Sequence, residues 1–153
     1  MKDSTCIYLI QNHQVLMLYR NKKQNDVNVG KYIGIGGKRK NGESMLECAK
    51  REMYEETGLT ADKLDYRGVV YFRYPHLEEE RIYIYTSSLY HGEMHDCDEG
   101  TLRWVNESDV LSLSLWEGDK VFLKKMMKKE TEPFHITLTY DAQDRLVSVE
   151  EGT

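Results

Sequence analysis

The stretch from Gly34 to Leu59 constrains the fold more tightly than any other. Gly34, Gly36, Gly37 and Gly42 fall within nine residues, giving a backbone free to take positive φ and to approach a ligand closely. The loop is neither a Walker P-loop, because it lacks the G-K-[ST] ending, nor a G-x-G-x-x-G fingerprint. Ser44-Met45-Leu46-Glu47 follows, a capping-box pattern in which the Ser44 hydroxyl and the Glu47 carboxylate each satisfy an amide that a helix N-terminus leaves free. Gly58 stands where a left-handed residue closes a helix. The spacing therefore predicts a flexible loop feeding one helix from Ser44 to Gly58.

Within that helix Glu52, Glu55 and Glu56 crowd three carboxylates into five positions. At about 100° per residue they share a sector of roughly 100°, beside an apolar stripe of Leu46, Ala49 and Met53 expected to pack on a sheet. Like charges at i and i+4 destabilise a helix, and acids near its C-terminal end oppose its dipole. Local energetics alone does not choose this arrangement. Two readings fit the residues: a solvated acidic face paired with Lys50 and Arg51, or a set of hard oxygen ligands for a divalent cation such as Mg²⁺.

Around this segment the pattern is rich in strands. Residues 4–10 and 14–20 read as paired strands across the polar turn QNH, and further strands are expected at 66–74, 80–90, 101–105, 134–140 and 145–150, the last two joined by the turn DAQD. Ile and Tyr alternate in RIYIYT, which suits a sheet with unlike faces. A second helix is expected from about Gly118 to Lys129, its apolar side made by Val121, Phe122, Leu123, Met126 and Met127. Its lysines 124, 125, 128 and 129 suit a solvated C-terminal end. A short helix at Glu107–Leu111 would be capped by Asn106. Strands interrupted by two separated helices point to an α+β or α/β sandwich with a mixed sheet.

Length and charge narrow the function. A chain of 153 residues with 40% hydrophobic content fits one domain, 1–153, able to bury a core. The formal net charge of −5 argues against polymeric nucleic acid as a partner, though not against a small anion neutralised by metal ions. No apolar run approaches the roughly 20 residues needed to cross a bilayer, and the N-terminus is too polar for a secretory segment. The expectation is a soluble cytoplasmic protein. Cys6, Cys48 and Cys97 are odd in number and far apart, which argues against a disulfide framework or a zinc site. The basic groups Arg20–Lys23 and Lys38–Lys40 read as solvated surface.

Taken together, Gly37, Glu43, Arg51-Glu52-Met53, Glu55-Glu56 and Gly58-Leu59 resemble the Nudix box, G-x5-E-x7-R-E-U-x-E-E-x-G-U, at every defining position, with Met53 and Leu59 in the aliphatic slots. The resemblance implies an α/β/α sandwich, an α+β Nudix fold with its mixed sheet between helices, and hydrolysis of a nucleoside diphosphate linked to a further moiety. It implies Mg²⁺ or Mn²⁺ held by Glu52, Glu55, Glu56 and the Gly36 carbonyl. It also implies Arg51 pairing with a box glutamate, Glu43 as structural, Gly37 and Lys38 toward the substrate, and Glu52 as leading candidate for general base.

The spans RNKKQNDVNVGKYIGIGGK, DCDEGTLRWV and LSLWEGDKVF are further similar to MutT-type triphosphatases of oxidised purine nucleotides, including the MutX group. That similarity implies Glu99 as another metal ligand and Trp116 and Asp119 at the base. Read from the residues alone, Glu99 equally suits a turn, Trp116 a helix anchor and Asp119 the charge at a helix start. One position departs: where a mammalian relative reads the base with Asn at the entry to the Gly-rich loop, this chain has Ile33. The implied reaction is conversion of a nucleoside triphosphate such as 8-oxo-dGTP to monophosphate and pyrophosphate, by a monomer or homodimer. Alternatives are another substrate (a dinucleoside polyphosphate, a nucleotide sugar or another noncanonical triphosphate) or a non-catalytic nucleotide-sensing module.

Overall fold

Asn12 and His13 both take left-handed backbone angles, φ 47° and 62°, and this two-residue turn folds strand β1 (Lys2–Gln11) back onto β2 (Gln14–Tyr19). Two consecutive positive φ angles match the right-handed twist of a hairpin. The computed structural model describes residues 1–23, 25–128 and 130–152. After β2 come β3 (Tyr32–Ile33), α1 (Met45–Thr57), β4 (Leu59–Arg73), β5 (Glu80–Gly92) and β6 (Thr101–Asn106). A 3₁₀ helix (Glu107–Ser112), α2 (Asp119–Met127), β7 (Phe134–Tyr140) and β8 (Leu146–Glu151) complete the order.

The strands join in the order β3-β2-β1-β5-β4-β7-β8, with β6 along β2. The β1–β5 and β4–β7 pairs are parallel and the others antiparallel, so the sheet is mixed. Its two faces follow the alternation of the strands. Ile7, Leu9, Leu16 and Leu18 pack with Ala49 and Met53 of α1. Tyr8, Val15 and Met17 pack with Phe122, Leu123 and Met126 of α2. Helix, sheet and helix thus form the expected sandwich. Among the described residues no helix is long and apolar enough to cross a membrane.

The boundaries correct several sequence expectations. Strand β4 begins at Leu59, directly after the helix cap, well before residue 66. Its first residues already alternate, Leu59 and Ala61 buried against Thr60 and Asp62 exposed, but their polar content hides a strand interrupted by bulges. Leu46 is 43% exposed rather than part of the packed stripe; Cys48, Ala49, Met53, Glu56 and Thr57 are the buried positions of α1. Asn106 makes no side-chain cap; its Oδ1 accepts from Gln14 Nε2 instead, and the turns that follow are 3₁₀. The α2 helix ends at Met127, and Lys129 lies outside the described residues. The two-residue β3 is too short to show in a pattern. All three cysteines are free.

Candidate active site

The glycine loop is pinned to the edge of β1 before it reaches the helix. Ile7 and Ile35 exchange backbone hydrogen bonds of 2.6 and 3.0 Å, and Thr5 N–H donates to the Gly37 carbonyl at 2.9 Å. This approach needs glycine: at Gly36, with φ 149°, an added Cβ would stand 1.9 Å from the Thr5 carbonyl oxygen, and at Gly37 one would stand 2.7 Å from the Glu52 carboxyl. Both halves of the capping box are formed by Ser44 and Glu47, and Gly58 closes the helix at φ 81°. Loop and helix are thereby fixed against each other at a close spacing.

The three glutamates of α1 are not equivalent. Glu56 is 6% exposed. The Gly36 N–H donates to its Oε2 at 2.6 Å, while its Oε1 is buried with no hydrogen-bond partner among the described residues. Burial, then the neighbouring Glu99 carboxyl, pushes the Glu56 pKa well above the usual carboxylate range. Glu52 is largely buried, and burial raises its pKa against the pull of Arg51. Glu55 is exposed at the helix surface. The inward tilt of one helix face thus grades three like residues from solvent to core.

Arg51 organises the rest. Its Nε and Nη2 donate to Glu43 at 2.8 and 2.7 Å, its Nη1 to Glu52 at 2.8 Å and to Glu55 at 3.1 Å, and Nη2 also reaches the Lys38 carbonyl at 3.0 Å. Hydrogen bonding to Arg51, then to the Lys40 amide, holds the Glu43 pKa down to about 2. On the facing loop, Lys23 donates to Glu99 at 2.7 Å and Arg20 donates to it at 3.3 Å. Burial opposes ionisation of Glu99, but the hydrogen bond from Lys23 and the charges of Arg20 and Lys23 outweigh it and lower the pKa.

The candidate ligands, the glutamate carboxylates and the Gly36 carbonyl, are hard oxygen donors, which fits Mg²⁺ or Mn²⁺ rather than a soft metal. The orphaned Oε1 of Glu56 is a buried acceptor that a cation would satisfy. In the present side-chain arrangement no three acidic groups among the described residues converge closely enough to enclose an ion. Glu52 and Glu55 are turned to Arg51, and Glu99 to Lys23 and Arg20. Coordination by the whole set requires these ion pairs to loosen.

A cavity of about 540 Å³ opens beside the carboxylates. It brings together Gly36, Gly37, Lys38, Glu52, Glu99, Trp116 and Asp119. Glu56 lies behind Gly36, and Arg51 and Glu55 stand outside the lining. Trp116 is only 3% exposed, with its edge or face set against Phe72, Tyr74 and Tyr140, and Lys31 Nζ is 4.7 Å from its ring centroid. Burial raises the Asp119 pKa to about 7 against the attraction of Lys31. Cys6 also lines the cavity, but burial lifts its thiol to about 12, so it is no thiolate nucleophile. A larger hollow of about 890 Å³ lies around the β1–β2 turn and Met126–Met127 and contains no residue of the glutamate cluster.

Several lining residues escaped the sequence reading. Arg20 and Lys23 read as solvated charge in the sequence, yet they hold Glu99. Asn28 accepts from Trp116 Nε1 at 2.8 Å, and Ser4 donates to Glu80 at 2.6 Å on the cavity wall. The row Ser4, Cys6 and Tyr8 had a signal, the period-two alternation of β1. Asn28, in an irregular loop, had none.

A model of the NUDIX domain family matches residues 2–126, and the chain belongs to that family. More narrowly, it is a MutT-like Nudix hydrolase. It is 29% identical over 127 residues to a Danio rerio oxidized purine nucleoside triphosphate hydrolase, covering 82% of this chain and 80% of that protein. It is 26% identical over 147 residues to the Mus musculus protein of the same name, covering 94% and 90%. The crystal structure of the mutator MutT protein from Bacillus halodurans superimposes with a TM-score of 0.88 at 27% identity, over 99% of this chain and 97% of that one.

Proposed function

We propose that residues 1–153 form a single Nudix domain that hydrolyses a nucleoside triphosphate to monophosphate and pyrophosphate in the presence of Mg²⁺ or Mn²⁺, with 8-oxo-dGTP or a related oxidised purine nucleotide as substrate. The observation that carries this reading is the buried, unpartnered Oε1 of Glu56 beside Glu52 and Glu99, at the edge of a cavity with Trp116 and Asp119 in its wall. The names of the fish and mouse relatives support the substrate class.

Glu52, Glu55, Glu56, Glu99 and the Gly36 carbonyl would hold the cation. When bound, it supplies charge neutralisation at the phosphates and a water of lowered pKa. The chain's own contributions are positional and electrostatic. Arg51 sets the directions of Glu52 and Glu55 while anchored to Glu43. Gly37 and Lys38, at the cavity wall, offer backbone and ammonium groups to the phosphates. Glu52 is the candidate to accept the proton of the attacking water, its pKa already raised by burial. Trp116 and Asp119 form the base end, an aromatic wall and a carboxyl for the purine edge.

The cavity of about 540 Å³ suits a small nucleotide, and the net charge of −5 argues against a polymeric nucleic acid. In the cell this activity would clear oxidised nucleotides from the cytoplasmic pool before they enter DNA. The protein would act as a monomer or homodimer, away from membranes. Comparing turnover of 8-oxo-dGTP, dGTP and ADP-ribose with Mg²⁺ tests the reading. A higher kcat/KM for the oxidised triphosphate is expected; equal rates, or preference for ADP-ribose, would redirect the assignment to another Nudix substrate.

A further inference from the structure

Asn28 stands in the loop between β2 and β3 and lines the cavity together with Trp116 and Asp119. Its Oδ1 accepts the Trp116 Nε1–H at 2.8 Å. An indole nitrogen can only donate, so this bond fixes which end of the carboxamide meets the ring. The Nδ2 amino group, with two N–H donors, is left as the free end, and among the described residues it has no hydrogen-bond acceptor. The loop itself is tied down. Asn28 N–H donates to Asp26 Oδ1 at 3.1 Å, Asp26 Oδ2 accepts from Arg20 at 2.7 Å, and Lys31 N–H donates to the Asn28 carbonyl at 3.0 Å. The amide is thus oriented before any ligand arrives.

Ile33, Val70, Phe72 and Ile82 give the cavity apolar surface, and Ser4, Glu80 and Asp119 are polar groups that line it as well. A donor held at fixed orientation in such a cavity discriminates between ligands, because one that cannot accept leaves it unpaired.

We propose that Asn28 is a specificity-determining residue whose amino group donates to a carbonyl oxygen of a purine base, O6 or O8. The inference rests on the nucleotide reading above. A guanine-type base offers the acceptor, whereas adenine presents an amino donor at C6 and meets donor with donor.

The test measures affinities of the monophosphates 8-oxo-dGMP, dGMP, 8-oxo-dAMP and dAMP by titration calorimetry, for the wild-type chain and for Asn28→Asp and Asn28→Ala. Asn28→Asp keeps an oxygen for Trp116 and turns the free donor into an acceptor; Asn28→Ala removes the donor without adding charge. Unchanged tryptophan emission of the Asp variant shows that the indole keeps its setting. Both variants should weaken 8-oxo-dGMP about tenfold or more beyond any change in dAMP. The response of dGMP against 8-oxo-dAMP tells O6 from O8. Equal effects on all four nucleotides, or none, overturn the assignment of Asn28 alone. A wild-type chain that binds none of the four overturns the nucleotide reading and this proposal with it.

Discussion

Arg51 grips Glu43 through two hydrogen bonds, Nε to Oε2 at 2.8 Å and Nη2 to Oε1 at 2.7 Å, and so ties the glycine loop to the middle of helix α1. With the same guanidinium it reaches Glu52 and Glu55. One side chain therefore sets both the loop and two carboxylates. Lysine keeps the charge but lacks the fork. Arg51→Lys should lower kcat by about 10- to 100-fold, the range typical of groups that orient metal ligands. Its circular dichroism spectrum should remain that of the wild type. Unchanged kcat would show that the carboxylates need no such anchor.

Cation binding should register in stability as well as in rate. A ligand that binds only the folded chain raises its melting temperature with concentration. Millimolar Mn²⁺ should therefore raise Tm of the wild type in a thermal melt. Glu56→Gln, which keeps the shape and the Gly36 contact site but removes the charge, should respond much less. An equal rise in both would place the cation elsewhere.

Asp119 should give stability a distinct pH dependence. Burial raises its pKa from 3.8 to about 7 in the folded chain, so folding favours the protonated form. The stability this group confers is whole below pH 3.8 and is lost as pH rises through about 7. Asn at this position does not ionise. In urea titrations, Asp119→Asn should gain on the wild type between pH 4 and 7, by on the order of 2–4 kcal/mol, and hold that gain above. Parallel stability curves would mean the carboxyl is solvated.

Gly36→Ala tests the close seat of the loop. A Cβ there would meet the Thr5 carbonyl oxygen at 1.9 Å, and φ is 149°. Either the loop lifts from β1 or the strand shifts. A loss of about 3 kcal/mol or more is expected by urea denaturation, as for other strained backbone sites. A loss below about 1 kcal/mol would show the loop to be loosely held.

What was legible in the sequence follows from how local the cause was. The α1 helix could be read closely because its cap, its glutamates and Gly58 all act within a few residues. The β1–β2 hairpin was legible for the same reason. The first half of strand β4 was not, since Asp62, Lys63 and Asp65 interrupt its alternation and pairing with β5 makes it a strand, whereas its second half lies within the strand expected at 66–74. The glutamate cluster showed in its spacing, but the grading from exposed Glu55 to buried Glu56 arises from packing on β1. Asn28 depends on Trp116, 88 residues away. No local pattern encodes that bond.

The central claim joins the glutamate cluster to triphosphate hydrolysis, and one measurement tests it most directly. Wild type and Glu56→Gln are incubated with 8-oxo-dGTP at saturating Mg²⁺ and the products are separated. The wild type should yield 8-oxo-dGMP and pyrophosphate, and Glu56→Gln, folded by circular dichroism, should yield neither at a measurable rate. Full turnover by Glu56→Gln, or release of orthophosphate in place of pyrophosphate by the wild type, would contradict the account.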